Sequence, residues 1–232
     1  NGHRTEYHDF AGTRRDFERS PVKPIIDGEP LYEGHPIKFD AEQFGYSTAA
    51  DVRRPLYWDL FNGAFGHTYG HHAIWQMSGS ATYRINNPLS EWRTALDAPG
   101  ASQMGHARAL LTSRPGWATR VAAPDLVVDG DVATAVPGAG AQRIVATRAA
   151  DRSWAMIYVP VGRTFRLDLT SMPATDLAAW WFDPRTGTAQ PAGHFPGGNS
   201  VEITPPDIGE YRDWVLVLDD ATRGWAAPGS LN

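Results

Sequence analysis

The sequence contains no cysteine, so disulfide bonds and thiolate-bound metals are both excluded. It also has no run of about 18 apolar residues, the length that a membrane-spanning helix needs, and no stretch with the pattern of a signal peptide. The sequence has 21 Lys and Arg and 26 Asp and Glu, which gives a formal net charge of −5. A nucleic-acid groove usually needs clustered basic residues, and here they are scattered. We therefore expect neither a membrane nor a nucleic acid among the partners.

Aromatic residues, by contrast, are abundant, with nine Trp and eight Tyr in 232 residues. Exposed planar rings suit the binding of sugars, although most Trp residues fill protein cores. The chain begins at Asn1 without an initiator methionine, which predicts a mature or cleaved product. We expect a secreted or periplasmic bacterial protein. The cytoplasm is the alternative, because the lack of cysteine does not fix the compartment.

The sequence is organised around residues 21–36, which read PVKPIIDGEPLYEGHP. Two prolines disfavour a helix, and the apolar pair before Asp27 predicts a short buried strand over residues 22–26. Glu29 follows where this strand gives way to a loop, which is where parallel barrels place catalytic groups. The alternative is an ordinary strand end with solvated acids.

The remainder of the first half predicts alternating helices and strands. We predict a surface helix over residues 12–18, then a helix with Asp51 as its N-cap and Pro55 in its first turn, then a strand near His67–Tyr69. A strand, a helix and a second strand in this order indicate a parallel βαβ unit. A further helix is predicted within residues 88–114.

The second half differs from the first in its pattern of apolar residues. Short β-branched or aromatic segments recur at near-regular spacing between turn clusters, which predicts seven or eight strands of an antiparallel sandwich. Trp180 and Trp181 are adjacent on one of these strands, so their side chains should lie on opposite faces, with one in the core. The chain is thus predicted to be α/β over residues 1–117 and all-β over residues 118–232.

Five motifs follow one another along the chain: PVKPIIDGEPLYEGHP, DVRRPLYWDLFNGAFGHTYGHHAIWQ, WRTALDAPGASQMGHARALL, AWWFDPRTG and DWVLVLDD. Their combination and order resemble the apiosidase-like glycoside hydrolases over nearly the whole chain. The resemblance implies a (β/α)8 TIM barrel followed by a β-sandwich of the type catalogued as collagen-binding. Residues 21–34 would form barrel strand seven, residues 63–77 strand eight, and residues 1–3 the end of strand six. Strands one to five have no counterpart in this sequence.

The resemblance also implies hydrolysis of a glycosidic bond by two carboxyl groups. In a retaining enzyme these groups lie roughly 5 to 5.5 Å apart, one as nucleophile and one as acid/base. Glu29 matches the position of the strand-seven nucleophile, and Glu33, four residues along the loop, is its rival. Asp27 is expected to hydrogen-bond the backbone of the turn. The general acid would come from an earlier strand that this sequence lacks.

A cluster of histidines and aromatic residues follows in the second strand region. We predict a sugar-binding subsite, because imidazoles hydrogen-bond hydroxyl groups and Trp rings stack on sugars. A divalent-metal site at His67 and His71 is the alternative, but glycines interrupt the stretch and no HExxH motif is present. We therefore expect neither a metal nor another cofactor. The candidate substrate-binding residues are Tyr32, His35, His67, Tyr69, His71, His72 and Trp75.

Three functions remain open at this point. The first is a retaining glycosidase acting on a plant or microbial glycan, with apiose as one candidate sugar. It would require a complementary N-terminal barrel segment, because two parallel strands alone expose unpaired edges. The second is a non-catalytic module that binds a glycan or a matrix protein through the sandwich. The third is a metallohydrolase that uses the histidine cluster.

Overall fold

A computed structural model describes residues 10–81, 84–128 and 139–230. The described part of the first half contains five helices and two short strands: α1 Phe10–Phe17, β1 Ile26–Asp27, α2 Ala41–Phe44, α3 Ala49–Phe61, β2 Gly66–His67, α4 His72–Trp75 and α5 Pro99–Thr112. Within these ranges no helix combines the length and apolar character needed to cross a membrane.

In the second half, the residues that the structure describes form eight strands: β3 Val121–Ala122, β4 Val145–Arg148, β5 Trp154–Val159, β6 Phe165–Asp168, β7 Asp176–Asp183, β8 Thr188–Pro196, β9 Ser200–Ile203 and β10 Trp214–Asp220. Short 3-10 turns occur at Ile37–Phe39, Thr94–Asp97, Trp117–Thr119, Pro124–Leu126, Ala139–Gln142 and Ala221–Arg223.

The first half contains the predicted parallel βαβ unit. Strands β1 and β2 pair in parallel, with Ile26 opposite Gly66 and Asp27 opposite His67. Helix α3 connects them. Both strands are shorter than predicted: β1 begins only at Ile26, two residues after Pro24, which has no N–H to donate to a neighbouring strand. The predicted burial of this strand is wrong, since Ile26 is 54% exposed.

The start of α3 corrects one prediction. Thr48, not Asp51, is the N-cap; Asp51 lies at the third helical position and closes a capping box with Thr48. The Asp51 carboxylate accepts hydrogen bonds from the Thr48 N–H and hydroxyl, each at 2.8 Å. Both residue types favour N-caps, and the reciprocal bonding decides between them. Because the helix begins earlier, Pro55 lies in its interior instead of its first turn.

The second half is the predicted antiparallel sandwich. Its larger sheet has the order β3-β4-β5-β10-β7-β8, and β6 pairs with β9 in a second sheet. The pairs within β4, β5, β10, β7 and β8 are all antiparallel. Every residue of β5 is buried, although a strand with one solvated face would alternate. Both faces of the central strands are therefore covered.

Two hydrophobic cores cover these faces. One lies between the two sheets and includes Phe165, Leu167 and Trp181. The other lies between the six-stranded sheet and helices α3 and α5, where Tyr57 stacks on Tyr158 with ring centroids 4.5 Å apart. Trp180 packs against this second core, so the predicted opposite orientation of the two tryptophans is confirmed.

Buried ion pairs connect the helices to the sandwich. Arg53 of α3 donates two hydrogen bonds to the Asp213 carboxylate, each at 2.7 Å, and the Tyr158 hydroxyl donates to the same carboxylate at 3.1 Å. Burial opposes the charge of Arg53, but the hydrogen bonds and charge of Asp213 raise its pKa above the ordinary value. Arg114 makes an equivalent two-bond pair with Asp219 at 2.8 Å. The helices and the sandwich therefore form one packed structure.

Substituting Arg53→Met should lower the free energy of unfolding by about 3–5 kcal/mol, because Asp213 stays buried without its partner. Urea denaturation checks this. Arg14→Met is the matched control, since Arg14 pairs with Glu18 on an exposed helix surface, and it should cost less than about 0.5 kcal/mol. Two separate unfolding transitions in the unsubstituted protein would contradict the shared core.

Candidate functional site

Glu29 lines an open cleft at the carboxyl end of β1. The cleft has a volume of about 470 Å³ and is lined by residues from α1, β1 and α3, among them Asp27 and Asp59. The Glu29 side chain is exposed, and its backbone N–H donates to the Asp27 carboxylate at 3.2 Å. The predicted backbone hydrogen bond of Asp27 is thus confirmed. The exposed Glu29 carboxylate is accessible to a ligand that enters this cleft.

Glu33 lies in a different environment from Glu29. It is only 6% exposed, and its Oε2 accepts hydrogen bonds from the Tyr69 hydroxyl at 2.6 Å and from the Gly100 N–H at 3.0 Å. A Cβ at position 100 would overlap this oxygen, so the contact requires glycine. Burial, then the Glu33 hydrogen bond, raise the pKa of Tyr69 above its ordinary value. Glu33 therefore connects its loop to the segment that follows β2 and to the start of α5.

His67 is hydrogen-bonded to Asp59, a residue that the sequence alone did not identify. Its Nδ1 lies 2.7 Å from Asp59 Oδ2, and both side chains are 1% exposed. The other Asp59 oxygen accepts from the Thr13 hydroxyl at 3.1 Å. The available sequence signal was an acid between apolar residues near the end of a buried helix, where a charge needs a partner.

His71 and His72 shape the start of α4. His71 is its N-cap, and its Nδ1 accepts from the Ala73 N–H at 3.1 Å. His72 is fully buried; its Nε2 donates to the Ile85 carbonyl at 3.0 Å, and its Nδ1 has no hydrogen-bond partner in the part of the chain that the structure describes. Burial lowers the pKa of both rings, and for His71 the charge of His72 adds to this.

The other predicted substrate-binding residues lie around these histidines. His35 is buried and contacts the His72 ring edge-to-face, with centroids 4.5 Å apart. Tyr32 is half-buried, and its ring fits against Gly70, where a Cβ would overlap it. Trp75 exposes half of its surface. It is the most exposed aromatic side chain of the predicted set.

The predicted residues therefore fall into two adjoining groups. Glu29 and His67 lie at the ends of β1 and β2, next to Asp59. Glu33, Tyr69 and the histidines of α4 form the second group, joined by a parallel bridge between Glu33 and His71. Their elements are neighbours, as expected for consecutive strands of a parallel sheet.

One grouping of side chains has metal-compatible spacing within the described residues. Polar atoms of Asp27, Asp59 and His67 all lie within 4.8 Å of one another. His71, the second ligand in the metal alternative, instead uses its Nδ1 to cap α4. The 2.7 Å distance between His67 and Asp59 is that of a direct hydrogen bond.

Substituting Glu33→Ala should lower the unfolding free energy by about 2–4 kcal/mol, because it leaves the Tyr69 hydroxyl and the Gly100 N–H buried without an acceptor. Glu29→Ala is the matched control and should change it by less than about 0.5 kcal/mol, as for an exposed side chain. Thermal and urea unfolding measure both. Equal losses in the two variants would show that Glu33 does not anchor its loop.

The lowered pKa of His72 predicts a pH dependence of stability. A buried neutral histidine binds its proton less readily in the folded state than in the unfolded state, so stability should fall as pH drops from about 7 to about 5. Substituting His72→Gln removes this titrating group and should reduce the slope of unfolding free energy against pH. Urea denaturation at several pH values tests this, and an unchanged slope would contradict it.

Comparisons with known proteins place the chain in a family. Residues 1–118 match the family described as "Apiosidase-like, catalytic domain", and residues 127–219 match "Putative collagen-binding domain of a collagenase". A search of curated proteins found no significant match.

Two solved structures resemble nearly all of the chain. One, titled "Glycoside hydrolase", is 26% identical with a TM-score of 0.83, and the match covers 96% of this chain and 51% of the other chain. The other, a family 5 glycoside hydrolase from Bacteroides vulgatus, is 25% identical with a TM-score of 0.82 and covers 94% and 47%. The chain therefore spans about half the length of these structures. By the match of residues 1–118 to the family model, this chain belongs to the apiosidase-like family of glycoside hydrolases.

Proposed function

We propose that this chain supplies strands seven and eight of the (β/α)8 barrel of a retaining glycosidase, with Glu29 as the nucleophile. The observation that carries this is the contrast between two acids four residues apart. Glu29 is exposed in a cleft at the carboxyl end of a parallel strand, whereas Glu33 is buried and bonded to Tyr69 and Gly100. A nucleophile must reach the substrate, and parallel barrels place catalytic groups at this end.

The reaction would proceed in two steps. The ionised Glu29 carboxylate attacks the anomeric carbon and forms a glycosyl ester, while a general acid protonates the leaving oxygen. The same acid, now a base, then removes a proton from a water that hydrolyses the ester. The acid comes from an earlier barrel strand, in the complementary segment.

An apolar surface on the βαβ unit favours the presence of a complementary barrel segment that covers it. This segment would belong to the same polypeptide or to a second one. Val22, Ile26 and Phe65 are 75%, 54% and 68% exposed. Val22, Phe65 and Trp117 line a groove of about 300 Å³ near the amino ends of the two strands. Clustered apolar exposure of this kind is typical of surfaces that another chain segment covers.

The predicted aromatic and histidine cluster would form the sugar subsite. Trp75 is the surface that can stack on a sugar ring, because half of it is exposed. Tyr32, His35, Tyr69, His71 and His72 would hold the surrounding loops by the contacts described above. The substrate class is a plant or microbial glycan, with apiose as one candidate, and a secreted or periplasmic location would fit it.

The sandwich serves as support for the barrel in this proposal. Helices α3 and α5 cover one face of its larger sheet, and β6 with β9 cover the other. Trp180 and Trp181 both pack into these cores, so neither forms an open platform for a glycan. This disfavours the alternative of a binding module that uses a sheet face.

Activity should be measured on the chain assembled with its complementary segment, after a screen of aryl glycosides and plant polysaccharides identifies a substrate. Glu29→Ala should reduce kcat by roughly 10³-fold or more, because nucleophile loss removes the covalent route. Glu42→Ala, at an exposed acid of α2, is the control and should retain full activity. Undiminished turnover of the Glu29 variant would remove it from the nucleophile role. If Glu29→Ala stays active, loss of turnover in a Glu33→Ala protein that is shown to be folded would favour Glu33.

A further inference from the structure

We propose that Asp59 is a positioning residue for Glu29, acting through His67 and Asp27. This rests on the proposed role of Glu29 as nucleophile. Asp59 lies within the second sequence motif, but the sequence alone assigns it no role. Its side chain is 1% exposed and lies beside the candidate cleft. A charge buried to this degree requires compensation, and its partners connect it to the catalytic loop.

The first step of the connection is the hydrogen bond from His67 to Asp59. His67 Nδ1 lies 2.7 Å from Asp59 Oδ2, and in the proposed arrangement the Nδ1–H donates to this carboxylate oxygen. Thr13 occupies the other Asp59 oxygen. Both Asp59 oxygens are therefore bonded within the protein, which fixes the carboxylate and the ring plane of His67.

The second step is the proximity of this pair to Asp27. Asp27 is the register partner of His67 across the β1–β2 pair, and polar atoms of Asp27, Asp59 and His67 lie within 4.8 Å of one another. The His67 ring, which is hydrogen-bonded to Asp59, therefore lies beside the Asp27 carboxylate and limits how far that carboxylate can move.

The third step leads from Asp27 to Glu29. The Asp27 carboxylate accepts the Glu29 backbone N–H at 3.2 Å, which closes the turn that presents Glu29 to the cleft. The Asp27 carbonyl is held in turn by the Thr68 N–H at 3.0 Å. If the Asp59–His67 pair is lost, the Asp27 carboxylate is free to shift and the turn loosens. A shift of about 1 Å at a catalytic group can cost on the order of 100-fold in rate.

Two substitutions at position 59 separate geometry from charge. Asp59→Asn keeps an acceptor for His67 but loses the charge, and Asp59→Leu, whose side chain branches at the same carbon, loses both. In the assembled protein, kcat should fall about 10-fold for the first and about 100-fold for the second, with KM within about threefold of the unsubstituted value. Asp51→Asn is the matched control, because Asp51 lies on the same helix away from this group, and it should leave kcat unchanged.

An NMR measurement on the His67 ring tests the contact independently of catalysis. The unsubstituted protein should show one tautomer with a protonated Nδ1, and Asp59→Leu should abolish that signal. Free exchange between tautomers in the unsubstituted protein would overturn the positioning role, even if Glu29 proves to be the nucleophile. Full activity of Glu29→Ala would instead overturn the proposed function while leaving the His67 result intact.

The remaining outcomes also decide the proposal. A kcat within twofold of the unsubstituted value for Asp59→Leu overturns it. If that variant does not fold, the same criterion applied to Asp59→Asn decides. Stoichiometric zinc or manganese bound in the unsubstituted protein and lost in Asp59→Asn would also overturn it, since the three side chains would then be metal ligands.

Discussion

The pairing of β1 with β2 is the constraint on which the candidate site depends. Two residues from each strand form it, and it sets Asp27 beside His67 and orients the loops that follow both strands. Glu29 and Glu33 lie in the loop that follows β1, and the histidine-rich loop follows β2. So short a pairing has little stability of its own. It is held by α3, which connects the strands and contributes Asp59 to the same group of side chains.

Helix α3 is held in turn by the sandwich. Its buried face packs on the six-stranded sheet, and Arg53 is paired with Asp213 across that contact. Helix α5 packs on the same face, and its first turn provides the N–H of Gly100 that binds Glu33. Contacts therefore run from the sandwich through two helices to both acids of the loop. The label of the C-terminal family describes a binding domain, but in this chain that domain's larger sheet is the surface on which the helices of the site rest.

The sequence predicts those features whose signals are local. Periodic apolar residues predict α3, and short β-branched segments predict the sandwich, because each element buries a face that its own pattern defines. Other features depend on partners distant in the chain. Glu29 and Glu33 are similar acids in one loop, and contacts with Tyr69 and Gly100, both distant in the chain, distinguish the buried Glu33 from the exposed Glu29. The partners of Asp59, Thr13 and His67, are likewise distant in the chain. The N-cap of α3 is decided by reciprocal bonding between Thr48 and Asp51.

The central question is therefore whether the Glu29 or the Glu33 carboxylate reacts with a sugar. Mechanism-based labelling addresses this directly: a fluorinated glycoside that forms a long-lived glycosyl ester is incubated with the assembled protein, and the modified residue is located by peptide mass spectrometry. The account predicts one glycosyl group on Glu29 and none on Glu33. A label on Glu33, or on an acid outside this loop while Glu29 stays unmodified, would contradict it.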